Sequence, residues 1–164
     1  MILEEMQVLL QRLDAARAKV EELLPRVDAT KQIYPGWTIR QMLAHMTGWD
    51  DATIASLRAH VASQPADTPA DRGINEYNAR TVSSRQDLDL DHVVKEWRMT
   101  RQVLHKLLEE MPEDKFHARL AVPWGPKASV TRLIDVFVEH EHEHAEDIES
   151  WLKHPDQPLT KKGS

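Results

Sequence analysis

The chain contains no cysteine, which excludes a disulfide framework, a thiolate metal site and a cysteine nucleophile. Thiol chemistry, if any, would need a thiol supplied by a cosubstrate. Glycine is scarce, five in 164 residues, which suits helices joined by short connections. Tyrosine and phenylalanine number two each, against five tryptophans, so the large rings are expected to plug core ends or line a pocket. No apolar run approaches membrane-spanning length, and the N-terminus is amphipathic from Ile2 onward without a signal-type apolar region. Basic residues are dispersed and the formal charge is −6, so no Lys/Arg stripe is available to track a phosphate backbone. These absences lead to the expectation of a cytoplasmic protein with neither a membrane nor a nucleic-acid partner. With 41% hydrophobic and 29% charged residues, one soluble domain with a real core is expected.

What is present is helical periodicity. Ile2, Met6, Leu9, Leu13, Ala16, Val20 and Leu23 follow one another at steps of three and four before Pro25. Thr38 and Gln41 have the spacing of a capping box, with Trp37 and Met42 placed as a staple. Ile39, Met42, Leu43, Met46, Trp49 and Leu57 then mark the inner face of a second helix. Residues 63–73 read as a polar linker, and Ile74, Tyr77, Asn78 and Val82 as a short helix. A third long helix is expected from a cap at Asp87 or Asp89 to Met111, stopped by Pro112. Residues 112–128 read as an ordered loop, with Ala121-Val122 too short for a convincing strand. Ser129 is placed to cap a last helix running to about Lys153. The expected architecture is all-α: a four-helix bundle with one short extra helix, over residues 1–154, followed by a flexible tail, 155–164.

The last helix carries the lead on function. Its apolar stripe runs Val130, Leu133, Phe137, then His140 and His144, then Ile148 and Trp151, so two imidazoles stand where the pattern asks for leucine. At i and i+4 they share one face and form a chelating pair. His142 lies about 200° around the helix from each and should face away. Of nine histidines in all, His45 is the other inward one, three residues after Met42 and four before Trp49. Three buried neutral imidazoles would each need a partner, and one divalent cation accepts all three lone pairs. Three protein ligands with a fourth position open is the arrangement of catalytic zinc; nickel and iron also suit histidine ligands.

Two literal motifs compete. His140 to His144 spells H-E-x-x-H, the zincin signature, but no sheet edge for a peptide and no third ligand downstream accompany it. Glu141 and His144 spell the E-x-x-H of di-iron bundles, yet no second copy stands on another long helix. Glu141, about 100° from His140, is retained as a candidate catalytic base toward a metal-bound water.

The segment Gly36-Trp37-Thr38-Ile39-Arg40-Gln41-Met42-Leu43-Ala44-His45-Met46-Thr47-Gly48-Trp49-Asp50 resembles the second-helix signature of the DinB-like superfamily. Glu139-His140-Glu141-His142-Glu143-His144-Ala145-Glu146-Asp147-Ile148 is similar to its last-helix signature, and Asn78 sits where many relatives have an asparagine. The resemblance covers about Leu3 to Leu152. It implies a four-helix bundle, often dimeric, holding a divalent metal on His45, His140 and His144. His142 replaces an aromatic common between the paired histidines, which leaves a ligand swap with His140 open. The superfamily includes S-transferases using low-molecular-weight thiols, a maleylpyruvate isomerase, and hydrolases lacking the triad. The expected activity is therefore metal-dependent transfer of a thiol to a small electrophile in a homodimer, with Trp49, Asn78 and Trp124 as pocket wall. Metal-dependent hydrolysis and a non-catalytic metal-binding sensor bundle are the alternatives.

Overall fold

A computed structural model describes residues 2–163, with side chains for residues 4–163. Met1, Ser164 and the side chain of Ile2, the first position of the expected stripe, lie outside the described part. Four long helices form the bundle: α1 (Ile2–Leu23), α2 (Ile39–Val61), α4 (Leu90–Glu109) and α6 (Val130–Leu152), with α3 (Ile74–Ser83) as the short extra helix. α1 lies chiefly along α6, and α2 along α4. No described helix is long and apolar enough to cross a membrane.

The expected helix starts have their physical causes in place. Gln41 and Thr38 form the capping box, with the Thr38 amide donating to Gln41 Oε1 at 2.9 Å. Asp89 accepts from the His92 amide at 2.9 Å, and Ser129 from the Arg132 amide at 3.1 Å. Each cap satisfies a donor that the first helical turn leaves without a partner. The stretch expected to be a loop holds more order. It contains a helical turn, α5 (Glu113–His117), then a two-residue antiparallel ribbon, β1 (Leu120–Ala121) on β2 (Lys127–Ala128). Periodicity cannot reveal elements this short, because two residues per strand contain no repeat.

Residues beyond α6, expected as a flexible tail, lie against the bundle. The Leu159 amide donates to Ile33 O at 2.8 Å, and Lys161 Nζ pairs with Asp147 at 2.9 Å and Glu143 at 3.1 Å. Gly163 packs so closely on the Trp37 ring that a side chain there would clash.

Between α2 and α3 the approach is equally close. A methyl on Gly48 would overlap Thr81, and Tyr77 Oη donates to the Gly48 carbonyl. Trp49 Nε1 donates to Asn78 Oδ1 at 2.8 Å. Glycine mid-helix costs about 1 kcal/mol in propensity relative to alanine; here it lets the two backbones meet.

At the centre of the bundle each long helix contributes one charged side chain: Arg17 from α1, Asp50 from α2, Arg101 from α4 and Glu141 from α6. Their exposures are 7%, 0%, 5% and 1%. Arg17 Nη2 reaches Asp50 at 3.1 Å and Glu141 at 2.8 Å, and Arg101 Nη2 reaches Asp50 at 3.0 Å and also pairs with Glu141. Two cations and two carboxylates cancel, which is the condition for burying charge. Arg17 also stacks over Trp97 at 4.1 Å and donates to its carbonyl at 2.8 Å.

Candidate metal centre and adjoining pocket

His45 on α2 and His140 and His144 on α6 come together as the periodicity required. The Nε2 atoms of His45 and His140 are 3.1 Å apart, and those of His140 and His144 2.9 Å. One nitrogen from each of the three lies within 4.8 Å of the others. His45 and His144 are fully buried, whereas His140 is partly exposed on one side. His142 is exposed, turned from the cluster as its helical angle predicted.

The donor set fits a divalent ion. Tetrahedral zinc at about 2.0–2.1 Å from each imidazole would separate ligand nitrogens by roughly 3.3 Å. The observed spacings fall within a few tenths of an ångström of that figure, with nitrogen rather than carbon edges converging.

A turn not singled out by sequence reading supplies the outer shell. Tyr34-Pro35-Gly36-Trp37 closes with the Trp37 amide on Tyr34 O at 2.9 Å, and Gly36 takes φ +81°. Only glycine adopts that backbone freely. The turn aims Tyr34 at His144 and Trp37 at His45. The Trp37 ring lies 5.1 Å from that of His45. Tyr34 Oη stands 2.8 Å from His144 Nδ1 and 2.5 Å from Asp147 Oδ2. Burial, then Asp147, pushes the Tyr34 phenol far up, so it keeps its proton. The phenol O–H donates to the Asp147 carboxylate, so the phenol oxygen accepts from His144 Nδ1–H. The tautomer assigned in this way leaves the Nε2 lone pair of His144 facing the other two histidines. An outer-shell oxygen holding a ligand imidazole in one tautomer is the usual support of a histidine metal site.

Glu141 goes elsewhere than expected. Its two oxygens are bonded by Arg17 and Arg101, at 3.1 and 3.2 Å from Arg17 Nε. Burial alone would push its carboxyl up, but Arg101 and then Arg17 hold it below its ordinary value. A carboxylate so engaged is a poor proton acceptor, and its place is in the central charge cluster.

A cavity of about 240 Å³ opens beside the histidines, lined by Trp49, Ile74, Trp124, Val136, Phe137 and His140. Trp49 and Trp124 therefore do line a pocket, their rings 6.1 Å apart and edge-on. Asn78 is not in the lining; it holds Trp49 from behind. Trp124 is carried by the turn between β1 and β2, where the Gly125 amide donates to Val122 O at 2.9 Å.

Comparison with known proteins agrees with the fold. A family model described as the DinB superfamily matches residues 29–148. Among solved structures, a mycothiol-dependent maleylpyruvate isomerase superposes with a TM-score of 0.72 at 16% identity, over 87% of this chain and 60% of that one. The chain thus spans only about three fifths of the isomerase. An uncharacterised protein from Escherichia coli UTI89 superposes with a TM-score of 0.77 at 16% identity, over 94% and 96% of the two chains. No protein of curated function matches the sequence.

Proposed function

Because the chain belongs to the DinB superfamily, we propose that it is a metal-dependent enzyme that transfers a low-molecular-weight thiol to a small electrophile. The observation that carries this reading is the convergence of three imidazole nitrogens, one of them on the wall of a cavity large enough for a small molecule. His45, His140 and His144 would hold the ion, zinc being the ion their number and type suit best. Bound there, a divalent ion would favour the thiolate of a coordinated thiol at neutral pH. The chain's own residues supply the rest. Tyr34 and Asp147 fix His144 in its ligating tautomer, and Trp37 covers His45 from the other side. Trp49, Phe137 and Trp124 give the space beside His140 apolar walls. The mycothiol dependence named for the structurally similar isomerase supports a thiol cosubstrate, and the absence of cysteine is compatible with one from outside.

Hydrolysis through a metal-bound water is the weaker reading, since Glu141, its candidate base, is spent on two arginines. Metal content of purified protein, with His45→Ala and His144→Ala beside it, tests the site. About one ion per chain is expected, falling sharply in both variants; undiminished stoichiometry in either would overturn the triad. Zinc-loaded protein titrated with low-molecular-weight thiols should show saturable quenching of tryptophan fluorescence, and a flat response would remove the thiol step.

A further inference from the structure

The cavity beside His140 specifies its occupant more narrowly than a small electrophile. Five of its six lining residues, Trp49, Ile74, Trp124, Val136 and Phe137, are hydrophobic. The indole N–H of Trp49 is already given to Asn78, so it offers nothing to a ligand. His140 is the sole lining residue with an ionisable side chain, and its Nε2 faces the other two histidines at 3.1 and 2.9 Å. No lysine or arginine is among the six. Ile74, at the start of α3, is 51% exposed and so stands at the open edge of the pocket it lines. A volume of about 240 Å³ exceeds the roughly 150 Å³ of an apolar cavity that takes benzene.

From this we infer that the pocket binds an uncharged apolar group of the electrophile, the size of one or two fused rings, and rejects dicarboxylates. The inference rests on the reading of the histidine cluster as the reactive centre, because His140 belongs to both. A carboxylate placed against these six side chains would lose its hydration with no lysine or arginine among them to replace it. Maleylpyruvate, the substrate in the isomerase's name, carries two carboxylates and would meet that penalty. A neutral aromatic group instead buries its faces against Trp49, Phe137 and Trp124 and comes to rest beside a proposed metal ligand. Polar parts of a thiol cosubstrate are likewise excluded from this space and must approach from another side.

The test compares two ligands with the same ring, naphthalene-2-methanol and naphthalene-2,6-dicarboxylate, titrated calorimetrically into the full chain with and without zinc. The neutral probe should bind at least tenfold more tightly to the zinc-free chain, in which the lining alone decides; zinc, which carboxylates can ligate, narrows the gap only through the histidine cluster. Trp124→Ala and Ile74→Ser should each weaken it fivefold or more while leaving zinc stoichiometry unchanged. Ile74 is half-exposed, so its replacement leaves the fold intact even if the tryptophan variant does not. Equal or tighter binding of the dicarboxylate to the zinc-free chain would overturn the inference, and so would neutral binding indifferent to both substitutions. Failure of the metal reading has a different signature: zinc stoichiometry unaffected by His45→Ala or His144→Ala, with probe selectivity intact.

Discussion

Replacing Glu141 by glutamine removes one charge from the centre of the bundle and almost no volume. In the wild type, Arg17 and Arg101 are balanced by Asp50 and Glu141, all four buried. Glu141→Gln leaves two guanidinium groups facing one carboxylate in a dry interior. Breaking a buried ion pair from one side costs about 3–5 kcal/mol, because the remaining charge is uncompensated. The glutamine carbonyl still accepts one of the arginine bonds, which places the expected loss near the lower end, about 3 kcal/mol. Against a total stability on the order of 5–15 kcal/mol that is a large fraction. At about 2–4 °C per kcal/mol for a domain of this size it lowers Tm by roughly 6–12 °C. Urea unfolding followed by far-UV circular dichroism gives the free-energy difference. Glu146→Gln, an exposed glutamate on the same helix, is the control and should stay within about 0.5 kcal/mol. If Glu141→Gln also stays below about 1 kcal/mol, the cluster does not hold the four helices as argued. If it keeps its stability and metal content yet abolishes turnover, Glu141 acts on the reaction and the structural assignment is wrong.

Three further outcomes follow from the same geometry. Tyr34→Phe removes the acceptor for His144 Nδ1–H and should weaken zinc binding about 10–100-fold in a chelator competition, with little change in Tm; unchanged affinity would dismiss the outer shell. Gly48→Ala should destabilise by about 1–3 kcal/mol through overlap with Thr81, despite the roughly 1 kcal/mol that alanine adds to helix propensity; a rise in urea midpoint would contradict the close α2–α3 approach. Ser129→Ala removes the α6 cap and should cost about 1 kcal/mol in the same assay, a loss that Ser129→Asp largely avoids.

The parts of the molecule legible in sequence are those written in a repeat or in a cap. Stripes of apolar residues gave the long helices, and the capping box at Thr38 and the serine at 129 gave two of their starts. The clustered histidines were legible for the same reason, since they interrupt an apolar seam without leaving it. The central charge cluster obeyed that rule and was missed. Arg17 falls between Leu13 and Val20, Asp50 between Met46 and Leu57, Arg101 between Trp97 and Leu104, and Glu141 between Val138 and Ala145, each at stripe spacing. One charge on each of four buried faces, two of either sign, was available as a signal. Glu141 adjoins His140 in sequence yet stands on a second inward stripe, with Val138 and Ala145. Tyr34 and Trp37 carried no periodic signal, because a turn places side chains through backbone angles rather than spacing. Asn78 was misplaced by one layer, since a short helix reveals which residues face inward but not which of them a larger ring will cover.

The tethering of α3 to α2 at Gly48 and Trp49 separates two tasks along the chain. All three clustered histidines stand on α2 and α6, and their polar contact comes from the Tyr34 turn and Asp147. Ile74 and Trp124, by contrast, reach the cavity from α3 and from the β1–β2 turn, which carry none of the three histidines. A protein engineer wishing to redirect the pocket could vary these two positions freely, admitting a bulkier or a charged guest, without disturbing any imidazole. Chemistry and choice of partner molecule are in that sense separately adjustable.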